Sequence, residues 1–149
     1  MDLTNSLPRS PKIKLNGIVL LPRMLDKARA YNAKKLGEYI FPCLLDKIIL
    51  EFLNIDRNEV ALLAKNLTDE EIAVWVNERC LNHSNEDKKQ VNQKILELKP
   101  TSQKSLNRFN DILKEINSAR KDITTWVDLL ELDENQKPKE KHNGNSSQK

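Results

Sequence analysis

The sequence is poor in the residues that build the most recognisable chemical sites. Only three glycines occur in 149 residues. That is too few for a glycine-rich phosphate loop or for a turn-rich β-sandwich. The two cysteines, Cys43 and Cys80, form no Cys-x-x-Cys pair, and the two histidines, His83 and His142, lie far apart. No spacing resembles a zinc site, so neither a metal nor a cofactor is expected. His83 has no identifiable partner for a Ser/His/Asp triad. Both thiols read as reduced residues in a cytoplasmic core, although Cys43 follows Pro42 near an expected helix start, a setting in which thiols become reactive.

Long apolar runs are also missing. Near the N-terminus the longest is Ile18-Val19-Leu20-Leu21, ended by Pro22 and Arg23. A membrane span needs about 18 apolar residues, and a secretory segment needs a basic start that Asp2 opposes. The expectation is a cytoplasmic protein without a membrane partner. Neither sign of charge dominates: 25 Lys and Arg stand against 22 Asp and Glu, for a net +3. No basic run exceeds two residues, which disfavours nucleic acid and leaves mild support for an anionic partner. The acids after Trp126 (Asp128, Glu131, Asp133 and Glu134) disfavour base stacking there.

Hydrophobic residues make up 38% of the chain, enough for one core of moderate size. Residues 1–17 carry Pro8 and Pro11 and end at Gly17, so they read as an extended lead-in with a short strand-like stretch at Lys12–Leu15. Helical periodicity begins at Leu21 and lasts to about Ala33, with Leu21, Met24, Leu25, Ala28 and Tyr31 on one stripe. A second helix is expected from about Pro42 to Leu53. A third is capped by Asp56 with Glu59, and a fourth by Thr68 with Glu71. Ser84 caps a fifth, stopped by Pro100, and a sixth starts at Thr101 or Ser102 with Leu106, Phe109, Leu113 and Ile116 inward. Asp122 caps a short last helix holding Trp126, Leu129 and Leu130. The sum is an all-α irregular bundle of about six or seven short helices behind an extended lead-in. A single domain over 1–132 is expected, followed by a disordered polar tail over 133–149, where no apolar side chain offsets the entropy of ordering.

Potential chemistry is densest between Leu21 and Asp46. Arg23, Asp26 and Arg29 follow one another at spacings of three, so on a helix Asp26 can reach both guanidinium groups. Glu38 and Tyr39 follow Gly37, and four of the seven aromatics (Tyr31, Tyr39, Phe41 and Phe52) fall in or near this segment. Two readings stand open. In one, the charges form a solvated, ion-paired face. In the other, Arg23, Asp26, Arg29, Glu38 and Tyr39 line a ligand site, because the arginine fork matches carboxylate or phosphate.

The strings LPRMLDKARA, LGEYIFPCLLD and DITTWVDLLELDE, with the opening DLT, PRSP and LNGI, resemble a family of small bacterial proteins. That family is catalogued as a domain of unknown function, the one numbered five thousand and sixty-nine. The resemblance covers the chain to about Asp133 and implies no activity. It implies that Arg23, Asp26, Lys27, Arg29, Gly37, Glu38 and Tyr39 match the family's recurrent pattern, and Asp122, Trp126, Asp128 and Leu129 its terminal string. The functional expectation is a binding module for an anionic small molecule or an acidic peptide. The alternatives are a metal-independent enzyme, with Glu38 or Asp26 as acid or base and Tyr39 as proton donor, and a structural or oligomerising helical protein.

Overall fold

A computed structural model describes residues 1–117 and 119–136. They form seven helices and one minimal hairpin: β1 (Lys14–Leu15), β2 (Ile18–Val19), α1 (Leu21–Asn32), α2 (Leu44–Leu53), α3 (Arg57–Asn66), α4 (Asp69–Arg79), α5 (Asn85–Leu96), α6 (Gln103–Asn117) and α7 (Trp126–Asn135). This is the mostly α bundle that the periodicity predicts. No helix among the described residues is long and apolar enough to cross a membrane.

The caps fall where the sequence signals them. Asp56 accepts from the Glu59 amide at 2.9 Å, Thr68 from Glu71 at 3.2 Å and Ser84 from Asp87 at 3.1 Å. Each satisfies an amide that a helix start leaves unpaired. The last helix differs. Thr125, not Asp122, caps α7 by accepting from the Asp128 amide. Asp122 is drawn instead to the Arg120 guanidinium at 2.9 Å, which holds its carboxyl down to about 2. The helix then runs through Asn135, past the domain edge expected at 132. The rest of the expected tail, 137–149, lies outside the described residues.

Helix α1 is the axis of the core. Nine of its twelve residues are buried, so it is covered on every side rather than along one stripe. Leu21, Met24 and Leu25 are at most 1% exposed, and burying each stabilises the fold by about 1.5–3 kcal/mol. Helices α2 and α3 pack against it, and α5 closes the core against α2, α7 and the hairpin. The Asn16–Gly17 turn has positive φ at both residues, 52° and 78°, the geometry of a two-residue hairpin that the lead-in reading passes over. Asn92 on α5 clamps it, accepting from the Val19 amide at 2.9 Å and donating to the Gly17 carbonyl at 2.8 Å.

The lead-in is part of the core. Leu3 and Leu7 are buried, and the Leu3 amide donates to the Lys35 carbonyl at 2.9 Å. The chain passes so close to Gly37 (φ 61°) that a Cβ there would sit 3.0 Å from the Leu3 carbonyl oxygen. Helix α6 departs from expectation in the other direction. Of its four apolar residues expected inward only Phe109 is buried, Leu113 and Ile116 are half-buried, and Leu106 is 40% exposed.

Candidate functional site

Because α1 is enclosed, its charged side chains must find partners inside the protein. Each does, on a different element. Arg23, 2% exposed, makes a two-pronged pair with Glu134 of α7, with Nη1 to Oε1 at 2.8 Å and Nη2 to Oε2 at 2.6 Å. Asp26 receives the lead-in's Arg9 three times: the Arg9 amide at 2.9 Å, Nε at 3.0 Å and Nη2 at 2.9 Å. Lys27 Nζ lies 2.7 Å from Asp46 of α2, which is fully buried, and 3.3 Å from Cys43 Sγ. Arg29 reaches Asp69 at the start of α4 at 2.8 Å. Arg9 meets the same Asp69 at 2.7 Å, so Asp26, Arg9, Asp69 and Arg29 form one continuous chain of ion pairs.

The helical spacing that suggests Asp26 between Arg23 and Arg29 is correct, yet that local pairing is absent. Burial favours partners that wrap the helix from outside, and these supply geometry that neighbours on one helix surface cannot. The five site residues divide accordingly. Arg23 and Tyr39 come together: the guanidinium carbon sits 5.6 Å from the Tyr39 ring centre, and the hydroxyl donates to Glu134 at 3.3 Å. Exposed Glu38 lies within electrostatic reach of that hydroxyl. Asp26 and Arg29 belong to the Arg9–Asp69 network instead. Four residues escape the sequence reading. Arg9 stands in a lead-in read as merely extended, Asp46 inside an expected helix, Asp69 at a helix start read only for its Thr68–Glu71 cap, and Glu134 in a stretch read as tail.

The electrostatics follow the geometry. Burial works against the charge of Arg9 and Arg23, but their hydrogen bonds to Asp26 and Glu134 outweigh it and raise both. Burial likewise works against the Asp69 carboxylate, and the hydrogen bonds of Arg9 and Arg29 overcome it and hold the group below its ordinary value. Tyr39 is pushed up, first by burial and then by the Glu134 charge, so its hydroxyl stays protonated as a donor. Four cations meet four anions in these clusters, which makes them neutral as a set.

A family model for a domain of unknown function, DUF5069, matches residues 5–136. The chain belongs to this family. No curated protein matches it. The DUF5069 match starts ahead of Arg9 and ends beyond Glu134, so every member of the ion-pair clusters falls within it.

A local excess of basic residues gathers elsewhere in the DUF5069 domain. Between residues 88 and 121 stand nine Lys and Arg against three Asp and Glu, whereas residues 1–87 hold twelve against thirteen. A near-even total conceals this imbalance, because the basic residues stand alone or in pairs along the sequence. It coincides with a groove of about 550 Å³ between α6 and the connection leading to α7. Leu106, Phe109, Leu113 and Ile123 form its floor, and exposed Lys99, Lys114 and Lys121 stand at its rim.

Proposed function

We propose that the protein is an interaction module for an anionic partner, engaged through the basic surface of α5, α6 and the α6–α7 connection. The supporting observation is the excess of six cations between residues 88 and 121, beside an ion-pair core with no net charge. The reading moves the partner away from Arg23 and Arg29, because Glu134 and Asp69 already engage their guanidinium forks. Fluorescently labelled poly-L-glutamate provides the test. It is expected to bind at low salt and to dissociate as salt is raised. Joint replacement Lys99→Glu, Lys114→Glu and Lys121→Glu should abolish binding with the melting temperature unchanged. If the wild type fails to bind at low salt, or the triple variant binds equally, the reading falls and a purely structural helical protein takes its place.

A further inference from the structure

We infer that the α6 groove receives an acidic amphipathic segment of a partner protein, seated by apolar anchors as well as by charge. The inference rests on the functional reading above and narrows it to one occupant. A partner held by charge alone needs no apolar floor, yet this groove has one. Leu106 is 40% exposed, Leu113 and Ile123 are half-buried, and Phe109 closes the bottom at 2% exposure against the edge of Trp126, ring centres 5.1 Å apart. The groove has a volume of about 550 Å³. Apolar side chains left half in water along one helix face are what an amphipathic segment covers when it lies in a groove.

The rim states the occupant's charge. Lys99, Lys114 and Lys121 make no ion pair among the described residues, and Arg120 beside them is held in place by Asp122. A shallower trough of about 470 Å³ along the end of α5 shares Lys99 and Pro100 with the groove and adds Lys94, which continues the basic surface. Other occupants fit less well. Residues 137–149 hold four Lys, one Glu and no Leu, Ile, Val, Phe or Met, so the chain's own extension has neither the charge nor the anchors. Single-stranded nucleic acid stacks on exposed rings, and Phe109, the aromatic in the groove, is buried. A second copy joined symmetrically through α6 would set the lysine rims against each other.

The test uses fluorescence anisotropy on the full chain with two synthetic peptides matched in length and net negative charge. One carries leucines at helical i, i+3, i+4 and i+7 spacing, and in the other these are serines. The leucine peptide is expected to bind at least about tenfold tighter. Leu106→Gln, at an exposed position that leaves the fold intact, should remove most of that advantage without changing the affinity of the serine peptide. Leu113→Gln should act in the same way, with circular dichroism confirming its fold. Equal binding of the two peptides overturns the inference and leaves the broader reading standing, whereas failure of both overturns both. A duplex RNA that binds tighter than the leucine peptide, or a dimer by light scattering that blocks it, also overturns the inference.

Discussion

Replacing Glu134 by Gln removes one negative charge from a place where water does not reach. Arg23 is 2% exposed, and both prongs of its guanidinium end on Glu134, at 2.8 and 2.6 Å. Its other acceptor is the Arg9 carbonyl at 3.3 Å. Glutamine keeps the shape but offers one oxygen and an NH2 group, so one prong faces a donor and the cation is left uncompensated. Breaking a buried pair in this way costs about 3–5 kcal/mol. At roughly 2–4 °C per kcal/mol for a domain of this size, the melting temperature should drop by about 10 °C. Urea unfolding followed by tryptophan fluorescence measures the loss directly, with an unchanged m-value confirming that the native state keeps its compactness. The double replacement Arg23→Met with Glu134→Leu removes both charges and should restore most of the stability. A loss under about 1 kcal/mol, the level of an exposed pair, would refute the reasoning and show that water solvates Arg23.

Asp69 contributes to the acid limb of stability. A carboxylate held lower in the folded state stabilises the fold above its unfolded value near 3.8 and gives up that stabilisation as pH falls through the lower folded value. Asp69→Asn should therefore flatten the decline of melting temperature below about pH 4, and an unaltered acid limb would contradict the network. Gly37→Ala forces a side chain into φ 61° and 3.0 Å from the Leu3 carbonyl; the expected loss is about 1–3 kcal/mol, with faster proteolysis of the first seven residues.

Local signals carried most of the fold. Each N-cap that accepts from an amide two or three residues ahead is visible in a short window, which is why Asp56, Thr68 and Ser84 are legible. Thr125 is the exception, because Asp122 offers the same chemistry three residues earlier and only the guanidinium of Arg120 decides between them. The Asn16–Gly17 turn was equally open to reading, as the commonest two-residue hairpin signal.

The site was legible in part. Density of function-bearing residues singled out Arg23, Asp26, Arg29 and Tyr39, but their partners lie 17 to 111 residues away along the chain, beyond any periodic rule. Composition misled at Glu134: a stretch without apolar residues reads as tail, yet one acid in it closes a core ion pair. The exposed face of α6 was misread for a related reason. Periodicity shows which residues share a face, and leaves open whether anything covers it.

The pairing of Arg23 with Glu134 also sets a schedule. Synthesis delivers the arginine early and its carboxylate 111 residues later. Until α7 emerges, α1 cannot bury Arg23 without stranding a charge, so the nascent helix must wait, partly solvated, for a piece of chain still inside the ribosome. Completion of this core is thereby tied to the arrival of its last helix, and a truncated translation product would carry the defect at its very centre.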